Sequence, residues 1–322
     1  MFEDGFQSEK KQRSLERRQQ YFIFPWMNCA DLNVTPNWVK DAVWYQIFPD
    51  RFCNGDSKND PQDTRPWKSE TPRNAYRYGG DLQGVINKLS YLEELGVNAI
   101  YLNPVFVSAS SHKYDINDYF RIDPSFGTEQ TMYTLCQKAH EKGIKIMLDF
   151  VFNHCGTKFA PWLDVLENGE KSKYKDWFMI NNWPVEQPGK DTRDGRFYSF
   201  AFSPNMPKLN TNHPEVIAYF CDVCKYWIRR YKIDGLRFDV ANEVSHAFLR
   251  KIRQVAKQEN PEIYLLGEIW HDASAWLRGD QFDAVMHYPL LEALSDFWTD
   301  ASMTKRDFAH ALNRCRTMYM PQ

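Results

Sequence analysis

Long apolar runs and an excess of one charge are both missing from this sequence of 322 residues. No stretch of eighteen apolar residues occurs, and the opening MFEDGFQSEKKQRSLERRQQ is charged where a signal peptide would be apolar. The 40 Lys and Arg nearly balance the 42 Asp and Glu, so the chain lacks the positive field that attracts nucleic acid. We therefore expect a cytoplasmic protein with neither a membrane nor nucleic acid among its partners.

Cysteine is also scarce, with seven residues spread along the chain. An odd, thin set of cysteines is typical of free thiols in a reducing compartment rather than of a disulfide framework. Cys221 and Cys224 fall on the apolar face of one predicted helix, which favours buried, inert thiols over a metal or redox pair. Apolar residues make up 43% and charged residues 25%, a balance that excludes disorder, collagen and coiled coil.

Apolar strands alternate with amphipathic helices from residue 42 onward. An isolated strand is predicted before them, at Tyr21–Pro25. The sequence then predicts strands at 42–49, 97–102, 144–152, 233–240, 262–269 and 282–288. It predicts helices at 82–95, 132–140, 214–231, 243–258 and 273–277, with one or two more inside 290–313. This alternation indicates a parallel sheet, either open or closed into a barrel. Residues 154–212 lack periodicity and are interpreted as an excursion from that sheet.

Polar side chains end three consecutive predicted strands, where parallel α/β folds place their catalytic groups. These side chains are Asp149, Asn153 and His154, then Arg237 and Asp239, then Glu268. A carboxylate within an apolar strand is unfavourable unless it is paired or functional. A structural ion pair would explain Asp149 by itself, but three strands in succession favour a site.

The fourth and fifth strands carry two carboxyls in contrasting surroundings. Arg237 lies two residues before Asp239, on the same face of the strand, and can hold that carboxylate ionised. Glu268 lies among Leu265, Leu266 and Ile269, so we expect its pKa to be raised. An ionised carboxylate beside a protonated one can cleave a glycosidic bond as nucleophile and general acid.

Several ordered motifs carry a resemblance to a known family. They are Asp149–His154, Gly235–Asp239, Gly267–Trp270, Met206–Asn210, Val43–Pro49 and His112–Asp115. Through them residues 21–322 resemble the α-amylase family, glycoside hydrolase family thirteen, and within it the neopullulanase, cyclomaltodextrinase and maltogenic amylase branch. The resemblance implies a (β/α)8 TIM barrel that is incomplete, with about six β/α units and an irregular B-domain inserted after the third strand.

The resemblance also implies a domain division. Residues 1–40 would be an N-terminal segment with the remnant of a β-domain, 41–153 and 213–322 the partial barrel, and 154–212 the B-domain. The third catalytic carboxylate of the family and the last two barrel strands have no counterpart in this sequence, so we expect a chain truncated at both ends. A homodimer is expected only of the full-length protein.

For function, the resemblance implies a retaining hydrolase of α-1,4 bonds in cyclodextrins, pullulan or maltooligosaccharides. Asp239 would be the nucleophile and Glu268 the general acid, with carboxyls about 5 to 5.5 Å apart. The residues implied in substrate binding are His112, Tyr114, Asp149, Asn153, His154, Arg237 and Trp270. Truncation would impair this activity. A transglycosylase using the same intermediate and a non-catalytic glucan-binding relative stay open as alternatives.

Oxygen ligands are concentrated at Asn54, Asp56, Asn59 and Asp60, a set that suits calcium. Loops of this composition are more often simple turns. The resemblance favours a structural Ca²⁺ site, completed by the Gly79 carbonyl and by Asp81.

Overall fold

The computed structural model describes residues 35–68, 71–185, 191–299 and 302–319. The predicted strand at Tyr21–Pro25 lies outside the described residues. Strands within them are β1 (Trp44–Ile47), β2 (Ala99–Leu102), β3 (Phe106–Ser108), β4 (Ile116–Ile122), β5 (Lys145–Phe150), β6 (Gly235–Phe238), β7 (Tyr264–Gly267) and β8 (Ala284–Val285). Helices are α1 (Leu82–Asn87), α2 (Leu89–Glu94), α3 (Glu129–Glu141), α4 (Ala160–Asn168), α5 (Pro214–Tyr231), α6 (His246–Glu259), α7 (Tyr288–Thr299) and α8 (Lys305–Met318).

The main sheet of the described chain has six parallel strands in the order β1-β2-β5-β6-β7-β8. The order follows the sequence, as it does when each strand is added beside the last around a barrel. The strands curl into part of a (β/α)8 barrel, so the predicted incomplete TIM barrel is confirmed. A hairpin of β3 and β4 leaves the barrel after β2, and the sequence analysis did not predict it.

Burial follows from the helices that cover the sheet. All but the first residue of β5 are buried, as expected of a central parallel strand with both faces covered. Helix α5 buries an apolar stripe in which the Trp227 indole N–H donates to the Tyr119 carbonyl at 2.8 Å. Cys221 and Cys224 lie in that stripe, and burial raises the pKa of the Cys224 thiol. The prediction that both thiols are buried is therefore confirmed.

The amino ends of the strands are closed by polar and aromatic contacts. Asp234, just before β6, accepts hydrogen bonds from His140 Nε2 at 2.7 Å and Lys145 Nζ at 2.8 Å, and ties α3 and β5 to β6. The rings of Trp38, Trp44 and Tyr264 pack together with centroids 5.8 to 5.9 Å apart. These contacts join the elements at the amino ends, and the carboxyl ends carry the polar cluster described below.

Three predicted elements differ in the structure. The helix at 82–95 is two helices, because Lys88 leaves helical geometry at φ -105° and ψ 5°. Residues 273–277 form turns rather than a helix, since Asp272 Oδ1 accepts the Ser274 N–H and competes with helical hydrogen bonds. The strand at 282–288 is reduced to β8, because Tyr288 already begins α7.

The other predicted strands and helices lie within a few residues of the observed ones, and 290–313 contains parts of two helices, α7 and α8. No helix among the described residues has both the length and the apolar character needed to cross a bilayer.

Candidate active site

One guanidinium organises the polar cluster at the carboxyl ends of β5, β6 and β7. Arg237 Nη1 lies 2.8 Å from Asp149 Oδ1 and 2.9 Å from Asp239 Oδ1, while Nη2 lies 2.8 Å from Glu268 Oε2. Parallel pairing places Asp149 directly opposite Arg237 across the two strands. All four residues are more than nine-tenths buried. The predicted contact between Arg237 and Asp239 is confirmed, and its extension to Glu268 was not predicted.

The backbone just after Asp239 is unusual. Val240 adopts the left-handed conformation at φ 46° and ψ 43°, which is strained for a β-branched residue. This turn directs the Val240 N–H to Glu268 Oε2 at 2.9 Å. This hydrogen bond joins the end of β6 to the carboxylate of Glu268, which directly follows β7.

The pKa shifts of the two carboxyls run opposite to the directions expected from the sequence. Burial and the neighbouring Asp149 raise the pKa of Asp239 well above its usual 3.8, and Arg237 offsets only part of this. Burial also acts to raise the pKa of Glu268, but Arg237 and the Val240 N–H help to bring it below 4.5. The reason is that Arg237 contacts both groups, while Asp149 adds a second carboxylate near Asp239.

Asp149 contacts the Arg237 guanidinium and is not among the residues that line the cavity. It is fully buried, and its Oδ2 accepts hydrogen bonds from Tyr101 at 2.5 Å and Tyr114 at 2.8 Å. The Tyr114 hydroxyl in turn accepts a hydrogen bond from Asn103 Nδ2 at 2.8 Å. Asp149 therefore connects the Tyr114 ring to the guanidinium of Arg237.

A cavity of about 250 Å³ opens above the carboxyl pair. It is lined by His112, Tyr114, His154, Phe200, Met206, Arg237, Asp239 and Glu268. A larger depression of about 530 Å³ lies on the outer face of α5. Its lining Lys225 and Arg229 are already ion-paired with Asp222 and Glu259, so it offers no comparable chemistry.

Two neutral histidines present nitrogen donors to the cavity. His112 Nδ1 accepts the Tyr114 N–H at 3.1 Å, so the ring proton is assigned to Nε2. Burial lowers the pKa of His112. Burial, reinforced by Lys208, lowers the pKa of His154 to about 3, and its Nε2 has no hydrogen-bond partner among the described residues. Both rings can therefore donate to sugar hydroxyls at neutral pH.

The segment after β5 supplies the opposite wall. The Phe200 ring stacks on His154 with centroids 4.9 Å apart and an interplanar angle of 15°. Asn153 is buried and accepts a hydrogen bond from Lys208 Nζ, which also contacts Glu243 Oε2 at 2.7 Å. Asn153 thus joins this wall to the barrel. It does not line the cavity, although it was predicted among the substrate-binding residues.

Trp270 lies at the rim beyond Glu268 and is 62% exposed, which removes a core role for its ring. Its ring centroid is 6.0 Å from that of Tyr288. The Tyr288 hydroxyl donates to Glu268 Oε1 at 2.9 Å. Together the two aromatic rings stand beside Glu268.

Three residues of the predicted calcium loop lie close together in the structure. Asn54 Nδ2 donates to Asp60 Oδ1 at 2.7 Å, and a Cβ at Gly79 would lie 2.6 Å from that same carboxylate oxygen. Asn59 Oδ1 is buried without a hydrogen-bond partner in the described chain. A buried amide oxygen without a hydrogen-bond partner is a ligand type that suits a hard cation.

Asp56 and Asp81, the other predicted ligands, are already engaged. Asp81 accepts four N–H hydrogen bonds, two on each oxygen, from Gly55, Gly84, Asp56 and Asn59. Asp56 Oδ1 accepts the Lys58 N–H at 3.1 Å. Among the described residues no three His, Cys, Asp or Glu side chains form a metal cluster, so any ion here would need amide and carbonyl oxygens in addition to Asp60.

Sequence reasoning missed several residues of the site, namely Tyr101, Asn103, Phe200, Lys208 and Tyr288. Lys208 lies inside the motif Met206–Asn210, so that motif could have indicated it. Phe200 lies in an aperiodic segment without a local signal. The remaining three are placed by contacts across the barrel, which no spacing in the sequence reveals.

Comparison with known proteins agrees with this geometry. The catalytic-domain model of the α-amylase family matches residues 46–320. A cyclomaltodextrinase of Geobacillus thermopakistaniensis (strain MAS1) is 53% identical over 302 residues, which are 94% of this chain and 51% of that protein. Neopullulanase 2 of Thermoactinomyces vulgaris is 47% identical over 322 residues, covering 99% of this chain and 53% of that one.

A solved structure of a cyclomaltodextrinase superposes with a TM-score of 0.85 at 49% identity and covers 99% of this chain and 54% of its own. The chain therefore spans about half the length of the curated relatives it matches.

Proposed function

Since the chain belongs to the α-amylase family of glycoside hydrolases, we propose that it hydrolyses α-1,4 bonds with retention of configuration. The substrates would be cyclodextrins, pullulan or maltooligosaccharides, as the names of the cyclomaltodextrinase and neopullulanase relatives suggest. The observation that carries the proposal is the Arg237 guanidinium, which holds Asp239 and Glu268 side by side at one wall of the cavity. Two carboxyls close together are the requirement of a retaining glycosidase.

In the first step, the Asp239 carboxylate attacks the anomeric carbon and the bond to the departing sugar oxygen breaks. Glu268 donates its proton to that oxygen, so the leaving group departs neutral. In the second step, Glu268 accepts a proton from water, and the water oxygen displaces Asp239. Two inversions at the anomeric carbon restore the original configuration.

The reaction requires a proton on Glu268 and an ionised Asp239. Desolvation raises the pKa of Asp239, and Arg237 lowers that of Glu268. A sugar placed against Glu268 would desolvate that group further and raise its pKa.

The remaining groups bind the sugar that carries the anomeric carbon. His112 and His154 present neutral Nε2–H donors, and the Tyr114 ring offers a flat surface for stacking. Asp149 keeps both Tyr114 and Arg237 in place. These contacts orient the anomeric carbon toward Asp239.

The test is incubation of the 322-residue chain with β-cyclodextrin and with pullulan, with the anomer of the first product read by NMR. Retention releases the α-anomer, and we expect its release at the impaired rate that the sequence analysis anticipates. Initial release of the β-anomer would contradict the retaining mechanism. Binding without release would favour a glucan-binding protein, and longer sugars at high acceptor concentration would favour a transglycosylase.

We also propose that the loop of Asn54, Asn59, Asp60 and Gly79 binds a structural calcium ion. The orphaned Asn59 Oδ1 supports this, since a cation would give that buried oxygen a partner. We expect added Ca²⁺ to raise the thermal midpoint and a chelator to lower it, by a few °C. The Asp60→Asn variant should lose most of this response. An unchanged midpoint for the wild-type chain with and without Ca²⁺ would contradict the site.

A further inference from the structure

The loop between β3 and β4 carries two of the rings that face the cavity, and Lys113 lies between them. The His112 and Tyr114 rings stack with centroids 5.9 Å apart at 28°. Lys113 adopts a left-handed backbone with φ 65°, which turns its two neighbours to the same side. Glycine or asparagine is the usual residue at such a position, so the presence of lysine calls for a reason in its side chain.

The side chain of Lys113 is buried and points away from the cavity. Its Nζ donates to Asp123 Oδ2 at 2.7 Å, and the two side chains are only 4% and 8% exposed. The ammonium also lies 5.1 Å from the centroid of the Phe126 ring. A buried charge with these partners fixes one geometry, because moving either group would leave the other unpaired.

Asp123 is itself held rigidly at the base of the hairpin. Its Oδ2 also accepts the Ser108 N–H at 3.1 Å, and its Oδ1 accepts the Ser125 N–H at 3.0 Å. Its own N–H donates to the Val105 carbonyl at 2.9 Å. Lys113 thus connects the loop of His112 and Tyr114 to Asp123, which is hydrogen-bonded to residues at both ends of the hairpin.

We propose that Lys113 is a positioning residue, which holds His112 and Tyr114 in register with Asp239 through its buried ion pair with Asp123. It touches neither the substrate nor the reacting carboxyls. The expected effect of Lys113 on activity rests on the proposed glucan hydrolysis. Its expected effect on the order of the loop rests on the loop geometry alone. The left-handed backbone directs the two rings, and the ion pair keeps them there.

The experiment compares Lys113→Gly, Lys113→Met and Lys113→Arg in the full chain. Glycine accepts the left-handed backbone without strain but removes the anchor, so it separates the two contributions. The first readout is hydrogen exchange of the amides in residues 109–115, where the Lys113 N–H is bonded to Ser110 Oγ and the Tyr114 N–H to His112 Nδ1. We expect faster exchange in the glycine and methionine variants and near wild-type exchange in the arginine variant.

The second readout is turnover of β-cyclodextrin. A loosened pair of rings stabilises the transition state less well, so we expect kcat/KM to fall on the order of 10-fold to 10²-fold. Most of the fall should appear in kcat, and the arginine variant should recover it. The matched control is Lys145→Met, which removes a lysine paired with buried Asp234 at the opposite end of the barrel and should change neither loop exchange nor kcat.

Wild-type exchange in both Lys113→Gly and Lys113→Met would overturn the proposal, as would equal kcat in all three variants. If methionine prevents folding because Asp123 stays buried and unpaired, the double variant Lys113→Met with Asp123→Asn removes both charges and takes its place. If the wild-type chain releases no sugar, the proposed hydrolysis fails, while the exchange measurements still decide the role of Lys113.

Discussion

Replacement of Asp239 by Asn is expected to lower the turnover of β-cyclodextrin by on the order of 10³-fold or more. The amide keeps the size of the carboxyl but cannot act as the nucleophile, so the covalent intermediate does not form. Turnover should be measured as released reducing sugar. The Asp222→Asn variant is the matched control, because that carboxyl is 66% exposed on α5 and its replacement should leave turnover unchanged.

A second measurement identifies the nucleophile directly. In the Glu268→Gln background, α-maltosyl fluoride should still form the covalent adduct, since fluoride departs without a proton from the general acid. The adduct should then persist, because Gln cannot activate water. Mass spectrometry should locate it on the peptide that contains Asp239, and the double variant with Asp239→Asn should show none. An adduct on another carboxyl would contradict the assignment.

The stability of Asp239→Asn should move in the opposite direction from its activity. The raised pKa of Asp239 means that burial disfavours its charged form, so a neutral amide relieves that penalty at neutral pH. We expect the variant to unfold in urea at the same or a higher concentration than the wild type. Loss of both folding and turnover would show only that Asp239 is structural.

Replacement of Arg237 by Met should lower the free energy of unfolding by about 3 to 5 kcal/mol. Asp149, Asp239 and Glu268 all contact this guanidinium and lie within the barrel. Without it, three buried carboxyls face one another without their shared cation. Urea unfolding at neutral pH, followed by circular dichroism, measures the effect.

The pH dependence gives that variant a specific signature. Protonation of the three carboxylates removes their uncompensated charges. The stability difference from wild type should therefore be largest at neutral pH and should shrink as the pH falls toward 3.8, the ordinary pKa of an aspartate. Arg229→Met is the control, because Arg229 pairs with Glu259 on the exposed surface and contributes little. A difference that stays constant with pH would contradict the electrostatic explanation.

Sequence reasoning was accurate where the interactions are local. Arg237 and Asp239 are two residues apart on one strand, so their contact follows from the period of a β-strand. The order of Asp149, Asp239 and Glu268 around the sheet also follows, because consecutive parallel strands become neighbours. The turns at 273–277 were not predicted, since a side-chain hydrogen bond of Asp272 overrides weak apolar periodicity there. The short β8 was not predicted either, because Tyr288 already begins α7.

By itself, the sequence determined which residues end the barrel strands and which two carboxyls stand together, because strand period and chain order are properties of the chain. Only the tertiary structure decided how these groups share charge. Arg237 contacts Glu268 as well as Asp239, and Asp149 lies near Asp239, so the pKa of Asp239 is raised and that of Glu268 is lowered, opposite to the directions expected from the sequence. A pKa depends on burial and on distances across strands, and neither is written in the order of residues along one strand.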